Sequence, residues 1–126
     1  MKVRDVPPRR LLSVEPQTSL AEVAKRMRQE DADSAAVMSG ARLLGIITER
    51  DLVRAIADGL NPQQARADVI MSAGPATVTG DEEVAVVAVK MMRLGIRHLP
   101  VVDQQGKPVG LISARDLVSL LEQEEG

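Results

Sequence analysis

Apolar positions along the chain follow two rhythms, and the same succession of rhythms runs twice. Leu20, Val23, Ala24 and Met27 stand at i, i+3, i+4 and i+7, which gathers them on one face of an α-helix. Ser19-x-x-Glu22 matches a capping box and sets the start of that helix. Residues 34–38 are short and apolar, Ser39-Gly40-Ala41-Arg42 carries turn chemistry, and residues 43–47 are apolar again, so a hairpin is predicted. Thr48 then opens a closing helix bearing Leu52, Val53 and Ile56, and Leu11 to Val14 predict a short lead-in strand.

Each of these elements returns. Gly45-Ile46-Ile47-Thr48-Glu49-Arg50-Asp51-Leu52-Val53 comes back as Gly110-Leu111-Ile112-Ser113-Ala114-Arg115-Asp116-Leu117-Val118, at an offset of 65 residues. The helix face returns as Val84, Val87, Ala88 and Met91 at an offset of 64. Val14 matches Val78 and Val37 matches Val101, again at 64, so the one-residue slip falls between Met38 and Leu44. That is where the hairpin turn is predicted, and turns tolerate insertions. The second hairpin spans 98–102 and 108–112 about Asp103 to Lys107. Its lead-in strand is Ala76 to Thr79, and its closing helix starts at Ser113 and carries Leu117, Val118 and Leu121.

The predicted fold class is therefore α/β (α+β): a β-α-β-β-α unit built twice, over 1–62 and 63–126, with Asn61-Pro62 to Ala67 as the linker. A three-stranded sheet with helices on one side leaves its other surface to be buried. Packing the two units about a pseudo-twofold axis satisfies that need. Pro7-Pro8-Arg9-Arg10 reads as a loop entering the first strand.

Composition narrows the function classes. Hydrophobic residues at 44% and charged residues at 27% give a globular balance, not a disordered one. No Phe, Tyr or Trp is present, so the core is aliphatic and none of these rings is available to stack on a base; single-strand nucleic-acid platforms are disfavoured. The net charge of −2 gives no basic footprint for duplex binding. Cysteine is absent and His98 is the one histidine, which removes disulfides, thiolate catalysis and the usual zinc sets. The longest apolar run, Val84 to Val89, is six residues, far short of a membrane span, and Met1 to Asp5 lack the apolar stretch of a secretion signal. A soluble, cytoplasmic protein without membrane association is expected.

Thr48-x-x-Asp51 and Ser113-x-x-Asp116 are the polar signatures shared by both halves. Helix capping alone accounts for a hydroxyl followed three residues later by an acid. The setting adds a second reading. Strand, tight turn and helix N-terminus converge there, and the free N–H groups and helix dipole favour an anion. A carboxylate accepting two hydroxyls is a ribose clamp, so one constellation serves both as cap and as nucleotide site.

The Gly-apolar-apolar-Thr/Ser-x-x-Asp text closing each repeat, with Ile96-Arg97-His98-Leu99-Pro100-Val101-Val102-Asp103 in the second, resembles the tandem cystathionine-β-synthase-type (CBS) domain pair, or Bateman module. The resemblance covers nearly the whole chain. It implies regulatory binding of AMP, ADP, ATP or S-adenosylmethionine in clefts between repeats, a homodimer, and an unidentified regulated protein as partner. No obligatory cofactor, no metal site and no enzymatic activity are implied. By position it puts Asp51 and Asp116 on ribose hydroxyls, with Thr48 and Ser113 near ribose or phosphate. Arg97 and His98 would face phosphates, and Arg115 could reach one. Leu12, Val14, Ile47, Ala76, Val78 and Ile112 would line an aliphatic adenine slot. Where the second copy has Arg97-His98, the first has Asp33-Ser34, so the second repeat is expected to be the better phosphate site and the first to suit a neutral or cationic tail. The rival expectation is a dimerising interaction scaffold with vestigial clefts.

The absence of Trp and Tyr makes bound ligand visible. If an adenine compound co-purifies, the near-ultraviolet spectrum of the pure protein should be that of adenine and should vanish after unfolding and dialysis. A flat spectrum from freshly purified protein would show that nothing aromatic is carried.

Overall fold

The computed structural model describes residues 1–125, with the side chains of Leu121 and of 123–125 outside the described set. The chain forms two compact units, one of Leu12–Pro75 and one of Met1–Leu11 together with the chain from Ala76 onward. In the Leu12–Pro75 unit the order is β1 (Ser13–Val14), α1 (Leu20–Gln29), β2 (Ser34–Ser39), β3 (Arg42–Thr48), α2 (Glu49–Ala57), a short α3 (Ala67–Ile70) and β4 (Ser72–Ala73). Its sheet runs β1-β2-β3-β4, parallel between the first two and antiparallel thereafter. The other unit begins with a 3-10 turn at Val3–Asp5 and continues with β5 (Val78–Thr79), α4 (Val84–Leu94), β6 (His98–Val102), β7 (Pro108–Ser113) and α5 (Ala114–Glu125), in sheet order β5-β6-β7. The mixed α/β class and the doubled β-α-β-β-α order agree with the sequence reading, but α3 and β4 extend the first unit and make its sheet four-stranded where three strands are expected.

The local chemistry explains these elements. Ser19 Oγ accepts the Glu22 N–H at 3.2 Å and starts α1, but Glu22 turns its carboxylate to Arg26 at 3.2 Å, so only half of the expected capping box forms. The first hairpin closes through Gly40-Ala41, with Gly40 at φ +59, as two-residue turns require. The second closes through 103–107, where Asp103 Oδ1 accepts the N–H groups of Gln105 and Lys107 at 2.9 Å each. The one-residue slip in the repeat is thus absorbed at the hairpins.

Each unit has its own aliphatic core. Val14, Val23, Met27, Ala35, Val37 and Ile47 pack together in the first, and Val78, Val87, Met91, Leu99, Ile112 and Leu117 in the second. Alternation along the strands sends Ala36 and Ile46, and likewise Pro100 and Leu111, to the opposite face of each sheet, where they are also buried. The helix faces differ from expectation in detail. Ala24 is exposed although Leu20, Val23 and Met27 are buried. On α2 the inward stripe is Leu52 and Ala55, while Val53 and Ile56 are 66% and 64% exposed; Val118 on α5 is likewise exposed. Adjacent apolar stripes compete at helical spacing, and packing selects one of them.

The segment ahead of each lead-in strand folds into the unit of the other repeat. Ala67 is fully buried in the Leu12–Pro75 core, and its N–H donates to the Thr18 carbonyl at 2.8 Å. Val3 and Val6 are buried in the other core, and the Val3 N–H donates to the Glu82 carbonyl at 2.9 Å. The last residue of the expected linker, Ala67, is the first residue of α3, and α3 and β4 beyond it belong to the first unit.

Two glycines permit this close packing. A Cβ on Gly45 would lie 2.6 Å from Met71 Sδ and 2.7 Å from the Ser72 carbonyl oxygen, and one on Gly110 would lie 2.7 Å from Pro8 Cβ. The Gly45→Ala variant should lose about 1–3 kcal/mol of unfolding free energy, because the obstructing oxygen belongs to a paired strand. Urea unfolding followed by circular dichroism measures this, and an unchanged midpoint would contradict the packing described.

Candidate functional site

In each unit the second hairpin strand runs directly into the closing helix, and the polar residues gather at that junction. In the Leu12–Pro75 unit, Thr48 caps α2. The Thr48 N–H and Oγ1 both donate to Asp51 Oδ2, at 2.8 and 3.1 Å, and the Asp51 N–H returns to Thr48 Oγ1 at 3.4 Å. The reciprocal cap is complete on one carboxylate oxygen; Asp51 Oδ1 has no partner among the described residues. Ser34 sits opposite Thr48 in the β2–β3 ladder, and its Oγ is buried without a hydrogen-bond partner among the described residues. The Asp33 carbonyl accepts the Glu49 N–H at 3.2 Å, fixing the strand start against the helix start.

The other unit repeats the frame with different occupants. Ser113, 4% exposed, accepts the Asp116 N–H at 3.2 Å. His98 lies opposite Ser113 across the ladder, and the Arg97 carbonyl accepts the Ala114 N–H at 2.8 Å while the residue itself is exposed. Arg115 is exposed on the first turn of α5. Backbone bonds thus bring Arg97, His98, Ser113 and Asp116 to one junction, as the motif spacing predicts.

Sequence reasoning missed Arg9. Its guanidinium makes a two-pronged contact with Asp116, Nε to Oδ2 at 2.8 Å and Nη2 to Oδ1 at 2.9 Å. Arg9 reaches this place because its backbone pairs with Leu111 in both directions at 3.0 Å, so the stretch expected to be an entry loop is bridged to the edge of β7. A separation of 107 residues leaves no local signal of such a pair. The Arg9 hydrogen bonds hold the Asp116 carboxyl below its ordinary value; partial burial opposes them, and Ser113 assists.

The expected adenine-slot residues are core residues. Leu12, Val14 and Ile47 pack in the first core, Val78 and Ile112 in the second, and the half-buried Ala76 packs against the second. Their near neighbours Ile46 and Leu111 point to the opposite sheet face. Among the described residues there is no group of three or more potential metal ligands, and no helix is long and apolar enough to cross a membrane.

The CBS domain family profile matches residues 3–58 and 66–123. The chain belongs to the CBS domain family. It carries the domain twice, and its similarity to known proteins extends along its length. An uncharacterized protein of Methanopyrus kandleri is 34% identical over 122 residues, covering 95% of this chain and 62% of that protein. This CBS pair therefore spans less than two thirds of that relative. A CBS domain protein from Pyrobaculum aerophilum, solved complexed with AMP, is 30% identical with a TM-score of 0.87 and full coverage of both chains. The CBS domain pair of protein MJ0100, solved in complex with 5-methylthioadenosine and S-adenosyl-L-methionine, is 26% identical with a TM-score of 0.89 and covers 98% of each chain.

The depressed Asp116 carboxyl gives a signed expectation. A lowered folded-state value contributes stability above the ordinary aspartate value of 3.8, and that contribution is lost as pH falls through the depressed one. The difference in unfolding free energy between wild type and Asp116→Asn should therefore be constant from neutrality to mildly acid pH, and should shrink as pH falls below 3.8. Urea titrations across that range measure it; a difference independent of pH throughout would remove the Arg9 contact as its source.

Proposed function

We propose that this CBS pair is a regulatory, non-catalytic module that binds adenosine-containing ligands and signals to a partner protein in the cytoplasm by population shift. The observation that carries the reading is a carboxylate fixed by the N-terminal cap of the closing helix in each half. A fixed acceptor pair suits the two vicinal hydroxyls of a ribose, and the adjoining helix terminus suits an anion. The relatives solved with AMP, and with 5-methylthioadenosine and S-adenosyl-L-methionine, support that ligand class.

In this reading Asp51 and Asp116 accept ribose hydroxyls and Thr48 and Ser113 stand beside them. Arg97, His98 and Arg115 serve the phosphates of AMP, ADP or ATP. With no Phe, Tyr or Trp in the chain, adenine is held by aliphatic contact and backbone hydrogen bonds. The buried side chains of Val14, Ile47, Val78 and Ile112 make their contribution through the backbone they support. Ligand binding favours one conformation, and a partner reads it.

A homodimer is part of the proposal. Val86, Val89 and Met92 on α4 are 58%, 44% and 77% exposed, an apolar stripe beyond what an isolated helix face needs. The same stripe supports the rival reading of a dimerising scaffold.

Calorimetric titration with AMP separates the two. Wild type should bind, and Asp51→Ala and Asp116→Ala should each remove binding in their own half, with a loss on the order of tenfold or more per lost carboxylate contact. Arg97→Ala should weaken AMP while sparing adenosine. Absence of heat with AMP, ATP and S-adenosylmethionine from folded protein would favour the scaffold.

A further inference from the structure

The two halves differ at the carboxylate itself. Asp51 uses only Oδ2 in its cap and leaves Oδ1 without a partner among the described residues. Asp116 has both oxygens engaged by the Arg9 guanidinium. The corresponding place beside β3 is taken by β4, where Ser72 pairs with Ile46 as Arg9 pairs with Leu111. Neither Ser72 nor Ala73 carries a charge, so nothing there reaches for Asp51.

The Arg9 contact is built into the backbone. Val3 and Val6 anchor the segment in the core, Pro8 lies against Gly110, and Arg9 is paired to Leu111 on both its N–H and its carbonyl. Beyond that bridge the Arg9 side chain is 43% exposed, while Asp116 is 23% exposed.

We propose that Arg9 makes the Asp116 half selective for phosphorylated adenosyl ligands, by competing with the ribose for Asp116 and yielding to a ligand whose phosphate offers the guanidinium a replacement anion. The inference rests on the reading of Asp116 as a ribose acceptor. Charge-assisted bonds are roughly twice as strong as neutral ones. Two ribose hydroxyls alone therefore replace a stronger contact with a weaker one. A phosphate changes that balance, because the planar guanidinium fork fits phosphate as well as it fits carboxylate. The N-terminus of α5 and the exposed cations of Arg97 and Arg115 add a favourable field for the same anion. The Asp51 half has no such competitor. It admits unphosphorylated adenosyl compounds, including one with a cationic sulfonium tail. One chain thereby distinguishes two classes of ligand by a single arginine.

The test compares AMP and adenosine by calorimetry on the Asp51→Asn chain, which isolates the Asp116 half, with Arg9 intact and as Arg9→Gln. With Arg9 intact, AMP should be strongly preferred. Arg9→Gln should tighten adenosine by roughly tenfold, the scale of a removed charge-assisted competitor. AMP should change less, since it loses a competitor and a phosphate partner together, so the preference should narrow. Arg9→Lys keeps the charge without the fork and should fall between the two, with circular dichroism confirming a native fold for each. An AMP-to-adenosine preference unchanged by Arg9→Gln would overturn the inference. Binding that persists in Asp116→Asn but is absent from Asp51→Asn would also overturn it, while leaving the adenosyl reading of the other half standing. No binding by wild type would overturn both.

Discussion

The close approach of backbone to backbone over Gly45 and Gly110 is the constraint on which the rest of the structure depends. Each glycine sits on the long strand that leads into a closing helix, and each is covered by a segment from the far side of the sequence repeat, Met71 and Ser72 in one unit and Pro8 in the other. A side chain at either position would push the covering segment away and unpair the edge of the sheet. The covering segments also bury Ala67 and Val3. Core, sheet edge and the polar junction at the helix start are consequently one assembly in each unit, and the residue delivered to that edge decides the chemistry of the nearby carboxylate.

The junction works because capping and binding make compatible demands. Capping asks for a hydroxyl and a carboxylate aimed at backbone N–H groups; Asp51 meets this with a single oxygen. The second oxygen remains to accept from something else. In the other unit the same frame has acquired an ion pair in place of that freedom. Both copies hold the frame, since each closing helix starts on it, and the two edge segments differ in the residue they deliver beside it.

An aliphatic core shapes what these units can do. Without Phe, Tyr or Trp, Val, Leu, Ile, Ala and Met side chains fill both cores, and the hairpin strands carry buried apolar residues on both faces. The sheet face away from the helices, with Ile46 and Ala36 or Leu111 and Pro100, is as apolar as the core face. Recognition of a flat base in such a protein falls to backbone amides and aliphatic shape.

The repeat, the element order, the hairpins with their one-residue slip and the hydroxyl–acid pairs were legible in the sequence, because each is written in residues close together in the chain. Periodicity of 3.6 and 2 and the chemistry of turns are local properties. Ser19, Thr48 and Ser113 were found by the same local logic and are where it puts them. Which of two apolar stripes on α2 faces inward was not legible, since Leu52–Ala55 and Val53–Ile56 satisfy helical spacing equally and only the packed neighbours discriminate. Nor was the passage of residues 1–11 and 65–73 into the opposite units, which rests on hydrogen bonds and burial between distant positions. Arg9 is the clearest case: by sequence it is one arginine in an entry loop, and it becomes the partner of Asp116 only when a β-bridge to Leu111 brings the two together across 107 residues.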